Sequence, residues 1–432
     1  MSSLFRFPVP MYLLRNRHIL SWCLFDFANS SYSAVIASAI FPVYYANIIV
    51  GNEQGMGDLW WGKAISVSMM LVAISSPFLG GIADYAKMRK RFLALYTALC
   101  ISATALLYFL KPGMAIEGLI LIICANIGLE GGLVFYNAFL PDIAHTTHQG
   151  RVSAWGYGIG YLGSIISLLL GLLLIRSGYI CMTWPFVALF FGLFSLPAFL
   201  FLPHDIQEKT SIARAASTGL VHTLTTLKKI WCRKEQRRFL IAYLLYEDGI
   251  NTVIVFASIF AATTLRFTHE ALIGLYLVVQ CTAFVGAFLM AKPTDYWGPK
   301  KVVMVSLSLW TVVTGATYVV QSQSHFFIIA SLAGFGLGTI QAASRAFYTQ
   351  FIPIDQTSEY FGVYTFVGKS SAIFGPLLFG FLSSLMGSQR PAVLSVTLFF
   401  LLGFILIIKV RGGFPNVQSS MEQGISMRRE SP

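Results

Sequence analysis

Twelve mostly apolar runs, each long enough to cross a bilayer, follow one another at 19–46, 59–83, 92–110, 114–139, 153–175, 183–202, 238–264, 270–291, 302–321, 326–350, 360–385 and 391–409. A spanning helix needs about 20 such residues, and 56% of the 432 residues are hydrophobic. Charged residues make up only 11%, against roughly 25% in soluble domains. That is too few to cover the surfaces of two or three soluble units, which excludes a soluble enzyme. A transmembrane β-barrel is excluded too, because its strands alternate and run only about 10 residues. The expected fold is an all-α membrane protein of twelve transmembrane helices in two pseudo-symmetric six-helix bundles.

Connections between runs are short except at 203–237. An N-terminal bundle over 1–202, a cytoplasmic linker over 203–237, a C-terminal bundle over 238–411 and a disordered cytoplasmic tail over 412–432 are therefore expected. Within the linker, 211–234 reads as an amphipathic basic helix. Its Ile212, Leu220, Leu224, Leu227 and Trp231 oppose Lys228, Arg233 and Lys234, a pattern suited to an anionic leaflet. The halves repeat. Asp26-x-x-Asn29-Ser30 in run 1 recurs as Asp248-x-x-Asn251-Thr252 in run 7. Asp84-Tyr85 after run 2 recurs as Asp295-Tyr296 after run 8, and Phe139-Leu140-Pro141 as Phe351-Ile352-Pro353. Three matches in order at nearly constant offset indicate a duplication.

The net charge of +12 is a matter of topology rather than of a nucleic-acid partner, and none is expected. With the N-terminus in the cytoplasm, 23 of the 30 Lys and Arg residues fall in inside segments, so both termini are predicted to be cytoplasmic. Ala37-Ser38-Ala39 resembles a signal-peptide cleavage site, but its run carries Asp26 and Asn29 and continues past signal-peptide length. An uncleaved first helix is expected. The six cysteines show no CxxC spacing, and the seven histidines fall in loops or at run ends. No intramembrane metal site, disulfide framework or cofactor is therefore expected.

Charges inside the runs are the informative minority, because each costs roughly 2.5–3.5 kcal/mol on insertion scales. Away from the run ends they are Asp26, Glu130, Glu247, Asp248, Arg345 and Lys369, on runs 1, 4, 7, 10 and 11; the apolar stretches of runs 3, 6, 9 and 12 carry none. At 1.5 Å per residue, Glu130, Asp248 and Lys369 lie near the midplane, where transporters place substrates and coupling ions. Asp26 is nearer the cytoplasm. Arg345 is one turn from the cytoplasmic end, within snorkelling reach. Helical spacing adds polar neighbours: Asn29 and Ser30 beside Asp26, and Asn251 and Thr252 beside Asp248. Asn126 and Asn137 line the Glu130 face, and Gln341 and Tyr348 the Arg345 face. Four polar stripes on runs 1, 4, 7 and 10 favour a shared cavity. Glycines at 156, 158, 160 and 163, and Gly375-Pro376 with Gly380, read as packing or hinge positions.

Gly80-Gly81-Ile82-Ala83-Asp84-Tyr85-Ala86-Lys87-Met88-Arg89-Lys90 resembles the loop 2–3 signature of the major facilitator superfamily, with a degenerate copy at Asp295–Lys301. It departs at Tyr85, where Arg is usual, and at Lys87, where Gly is usual. Closer motifs resemble the vacuole effluxer branch, which includes fungal autophagy-related amino-acid effluxers. They are Asp26-Phe27-Ala28-Asn29-Ser30-Ser31-Tyr32, Tyr136–Ile143, Gly150-Arg151-Val152-Ser153, Tyr246-Glu247-Asp248-Gly249, Gln341–Ala346 and Phe361-Gly362 through Gly368-Lys369. The family's usual Trp in the first is Phe27 here, an aromatic swap of little expected consequence. The resemblance implies a two-bundle transporter working by alternating access, with helices 1, 4, 7 and 10 around the cavity. It implies amino acids or similar small metabolites as substrates.

The expected function is secondary transport of small polar solutes, amino acids among them, with proton coupling as an option. Coupling candidates are Asp248 first, then Glu130, with Asp26 and Glu247. Cavity candidates are Asn29, Ser30, Tyr32, Asn126, Asn137, Asn251, Gln341, Arg345 and Lys369, with Lys369 placed ahead of Arg345 by depth. A cytoplasmic gate is assigned to Asp84, Arg89, Asp142, Arg151, Asp295 and Lys300. An organic-anion or lipid-like substrate is the alternative if Arg345 and Lys369 both face the cavity; a non-transporting receptor is another. The partners expected are a small molecule and the lipid bilayer around a monomer, in a bacterial inner membrane or, in a eukaryote, a vacuolar one.

Overall fold

A computed structural model of the chain describes residues 16–51, 56–205, 223–267, 269–372, 374–386 and 388–411. The tail over 412–432 and the first part of the predicted linker helix lie outside them. The first half contributes α1 (Arg17–Ser31), α2 (Met56–Tyr85), α3 (Arg89–Leu106), α4 (Ala115–Ala138), α5 (Gln149–Arg176) and α6 (Thr183–Phe201). The second half contributes α7 (Lys234–Thr263), α8 (His269–Tyr296), α9 (Pro299–Val319) and α10 (Gln323–Thr349). It ends with α11, in two pieces (Thr357–Ser370 and Phe374–Met386), and α12 (Gln389–Lys409).

The chain is a multi-pass membrane protein. Among the described residues ten helices are long and apolar enough to cross a bilayer. Run 1 supplies an eleventh as a bent pair: α1 loosens into π-helical turns over Tyr32–Ala39 and turns by 41° into Phe41–Val50. Run 11 departs from the expected single helix, because it breaks after Ser371 into pieces of 14 and 13 residues. Proline has no N–H to give to a continuing helix. Pro376 accordingly sits in the first turn of the second piece, where no donor is needed.

Each half closes on its own core. Trp22, Phe25, Tyr136, Trp184 and Phe191 pack in the first, and Phe239, Tyr246, Trp310, Phe347 and Phe400 in the second. The halves meet where α2 packs on the first piece of α11 and α5 on α8. Close approach is what these positions require. A Cβ on Gly80 would run into the Ser358 carbonyl, and one on Gly362 into that of Ser76. The run 5 glycines pack as expected: Gly163 lies against the Phe27 backbone of α1, and Gly158 against Phe288 of α8. The described part of the linker, helical over 223–232, lies across both halves. Its Thr223 hydroxyl donates to the Pro77 carbonyl of α2 (3.4 Å), and Ile230 sits in the second core. Leu224 and Trp231 stay exposed beside Lys228 and Lys229.

The repeat reaches the turns. After α2 the chain reverses at Lys87, φ +53°, and the Met88 N–H closes on the Ala83 carbonyl at 2.9 Å. After α8 the same place is held by Gly298, φ +88°. A side chain in this left-handed region costs roughly 1–2 kcal/mol, and helix ends of this kind favour glycine. Relief of that strain outweighs the roughly 0.4–1 kcal/mol that an added glycine loses through the unfolded chain. Lys87→Gly is therefore expected to raise the melting temperature of the purified protein, and Gly298→Ala to lower it. Equal or reversed shifts in a thermal melt would contradict this account of the turn.

Candidate functional site

A cavity of about 1260 Å³ runs between the halves. Its polar end is lined by Asp26, Asn29, Ser30, Asn137, Gln341 and Arg345, and its walls by apolar side chains such as Phe256, Trp310 and Phe379. It extends to Trp61 near the start of α2, Ile180 before α6 and Thr317 near the end of α9. Those positions lie at the end of the molecule opposite Asp84 and Asp295. The cavity therefore reaches one end and is shut off from the other.

Arg345 closes the polar end. It does not snorkel: only 1% of it is exposed. Its Nε donates to the Ser153 hydroxyl at 2.8 Å, Nη2 to the Ser153 carbonyl at 2.8 Å, and Nη1 to Asn137 Oδ1 at 3.0 Å. Asp26 Oδ2 lies 3.8 Å from Nη1, an ion pair without a hydrogen bond. The guanidinium carbon lies over the rings of Tyr157 and Trp22, 4.2 and 4.6 Å from their centroids. Desolvated cation–π contacts of this kind are worth about 2 kcal/mol or more. The Trp22 indole is fixed in turn by donating to the Tyr136 carbonyl at 2.9 Å. Farther along the same α5–α10 seam, the Tyr161 hydroxyl donates to Gln341 Oε1 (2.8 Å) and the Thr349 hydroxyl to Gln149 Oε1 (2.7 Å). Trp22, Ser153, Tyr157 and Tyr161 were not among the predicted site residues. Trp22 lies one helical turn before Asp26, the one signal that could have marked it.

The remaining candidates are dispersed. Lys369 pairs with Glu130 across the halves at 2.8 Å, and neither borders the cavity. Asp248 turns to the break in α11, where its Oδ1 accepts the Gly375 N–H at 2.8 Å. Asn251 donates to the Ser371 hydroxyl at 3.2 Å, and Asn126 ties α4 to α2 by donating to the Ser68 hydroxyl at 2.7 Å. Tyr32 is buried in the first core. Glu247 is part-buried near Lys369. Phe27, in the usual Trp position, stacks on Phe190 of α6, away from the Arg345 site.

At the closed end, Asp84 Oδ1 accepts Arg89 Nε at 2.7 Å, and Arg89 Nη1 reaches Asp142 Oδ2 at 2.7 Å. The other Asp84 oxygen accepts the backbone N–H of Glu359 at 2.9 Å, in the first turn of α11 and hence in the other half. Asp295 does the same in the opposite direction. Its Oδ1 accepts the Arg151 N–H at 2.9 Å in the first turn of α5, with Arg151 Nε 3.2 Å from Oδ2. Both carboxylates thus cap the positive end of a helix in the other half, a charge-assisted contact. Lys300 is not part of this cluster, since its ammonium donates to the Ile408 carbonyl closing α12 (2.9 Å). Lys90 does likewise to Leu202 closing α6 (2.7 Å).

Against this geometry the comparisons are consistent. The sequence profile of a family described as "Vacuole effluxer Atg22 like" matches residues 63–413. The MFS-type transporter YxiO of Bacillus subtilis is 28% identical over 404 residues, covering 90% of this chain and 93% of that protein. Autophagy-related protein 22-1 of Penicillium rubens is 22% identical, covering 81% of this chain and 74% of that protein. Among solved structures, the human organic anion transporter MFSD10 superposes with a TM-score of 0.74 at 16% identity over 93% of this chain and all of that one. The proton:xylose symporter XylE superposes at 0.68, with 13% identity over 93% of this chain and 97% of that one. At these identities the likeness to solved structures is one of fold, and that fold is the major facilitator fold.

If the two capping carboxylates hold this end shut, Asp84→Asn weakens the latch by removing the charge while keeping the shape. Cysteines introduced at the Asp84 end are then expected to react faster with a thiol reagent, and cysteines lining the opposite mouth more slowly. Unchanged labelling at both ends would sink the latch.

Proposed function

Because the chain belongs to the vacuole effluxer Atg22-like family of membrane transporters, we propose that its cavity carries small polar metabolites, amino acids among them, by alternating access driven by a proton gradient. It is a transporter of the major facilitator fold and not an enzyme. The observation that carries the substrate reading is the polar end of the cavity. Asp26 and Arg345 stand 3.8 Å apart there, an arrangement that offers opposite charges to the ammonium and carboxylate of a zwitterion. The apolar walls then accept a side chain. Lys369 lies off the cavity lining, so the arrangement that would have favoured an organic anion, with both cations facing the substrate, is not met.

The orientation proposed from the Lys and Arg distribution puts both termini and the Asp84–Asp295 end in the cytoplasm. The state described here is then outward-facing. A bacterial inner membrane suits the compact length, with a vacuolar membrane in a eukaryotic cell.

Uptake of radiolabelled amino acids into proteoliposomes, screened with proton gradients of either direction and without one, tests the function. Accumulation that collapses when the gradient is dissipated is expected. Arg345→Gln should reduce uptake by an order of magnitude or more, and Arg345→Lys should recover only part, because an ammonium cannot reproduce the forked geometry. Full activity in Arg345→Gln would remove this residue from the binding site.

A further inference from the structure

Six ionisable side chains lie within the spans, away from the loops at their ends, four carboxyls and two cations. Three of the carboxyls are accounted for. Asp26 stands against Arg345, Glu130 against Lys369, and Asp248 receives the Gly375 N–H. Glu247 is the remainder: among the described residues no ion pair or hydrogen bond reaches its carboxyl. Its charged neighbour is Lys369. The other titratable groups around it are Tyr157 and Tyr161 of α5, Tyr243 and Tyr246 of α7, and Tyr364 of α11. Among the helices that pack on α7, α10 brings Arg345, stacked on Tyr157 and paired with Asp26, and α8 brings Tyr276. Between its terminal Arg390 and Lys409, α12 carries no titratable side chain. An uncompensated carboxylate in such a place is strongly disfavoured, whereas the neutral acid is tolerated.

Lys369 is placed to respond. It belongs to the second half, yet its present partner, Glu130, belongs to the first. The helix piece that carries it packs mainly on α2 of the first half, so the Glu130–Lys369 bond crosses a surface along which alternating halves must move. Glu247 lies on the same side of that surface as Lys369.

We infer that Glu247 is the proton-carrying site of this transporter and that Lys369 is the switch that reads it, leaving Glu130 for Glu247 when Glu247 loses its proton. The inference rests on the proton-driven reading above and assigns the proton to one residue. In the closed state described here Glu247 is the neutral acid and the Lys369 ammonium is held by the Glu130 carboxylate. Breaking the Glu247 O–H bond sends the proton to water and leaves a carboxylate that draws the ammonium within the second half. The tie across the halves is then lost. Glu130 is left facing the cleft, where water enters as the cleft opens. Protonation of Glu247 reverses the sequence. Asp248, its sequence neighbour, stays with the α11 break throughout and carries no proton.

The test needs no substrate. Spin labels at Tyr85→Cys and Tyr296→Cys, both exposed and one in each half, report the width of the closed end by pulsed dipolar spectroscopy. They are placed in a variant lacking the native cysteines, in lipid nanodiscs, from pH 5 to pH 9. The distance between them is expected to lengthen as pH rises. Glu247→Gln should keep it short at every pH, Glu247→Asp should restore the titration, and Glu130→Gln should shift the midpoint to lower pH. A Glu247→Gln protein that elutes as the parent does and titrates as the parent does overturns the assignment while leaving proton coupling standing. A parent whose distance ignores pH, or answers only to sodium at fixed pH, overturns the coupling reading itself.

Discussion

The Arg345 guanidinium is almost wholly buried at the floor of the cavity it lines, and the interior of this protein is organised around it. A charge so buried is stable only where the fold supplies acceptors in the right geometry, and leaving it without them typically costs 3–5 kcal/mol. Here Arg345 sits on α10 of the second half, and its hydrogen-bond acceptors, its counter-ion and its two nearest rings come from the first. Ser153 and Asn137 accept from it, Asp26 faces it, and it lies over the rings of Trp22 and Tyr157. The α5–α10 seam can therefore part only if something else takes over those contacts. That makes the seam both the floor of the cavity and an electrostatic tie between the halves. Lysine could not do this, because a point charge offers neither the planar face for two rings nor the fork for Ser153.

Duplication accounts for the frame, and divergence for the chemistry. Asp84 and Asp295 have kept one task, each capping the first turn of a helix in the opposite half, and the lysines at the starts of α3 and α9 each close the last helix of their own half. Near mid-span the repeat has parted. Asp26 faces a buried cation, while its counterpart Asp248 faces the N–H of a helix restarting after a break. One carboxyl thus helps form a ligand-sized polar end, and the other holds a discontinuity in place. The second half gained the break in α11 where the first half has the continuous, glycine-lined α5.

The fold was legible because membrane insertion reduces the problem to counting apolar lengths, and positions of the runs agree with the helices except where backbone chemistry interrupts them. Span 11 shows the limit. Its composition reads as one crossing, and only the fate of a single N–H, that of Gly375, reveals two pieces. The site was legible in part. The residue types were visible, because a charge in hydrocarbon is costly and so stands out. Partners were not visible, because they come from turns of other helices whose rotation no single-sequence pattern fixes. Depth alone put Lys369 ahead of Arg345. Depth is a coordinate along a helix, whereas facing the cavity is a matter of angle around it, and the angle brings Arg345 to the cavity and Lys369 to Glu130. Trp22 and Tyr157 were hidden for a different reason: an aromatic on a buried face has the same sequence signature whether it packs a core or stacks on a cation.

The break in α11 also gives the molecule a lever. Its first piece begins at the contact of Glu359 with Asp84 and carries Lys369 ten residues later, a rise of about 15 Å at 1.5 Å per residue. A short helix with unbroken backbone hydrogen bonds moves as a unit. A shift at the Asp84 latch must then be felt at the Glu130–Lys369 pair, and a change at that pair must be felt at the latch. Beyond Ser371 the chain is uncoupled by the break, and the second piece is held separately by Asp248. Gate and mid-span charge are in this way joined through one rigid segment. Arg345 and the cavity floor are joined to the same motion through α10, which packs on α5 as the first piece of α11 packs on α2. A continuous α11 would have tied that motion to the whole far side of the second half; the interruption confines it to the part that carries both the latch and the charge.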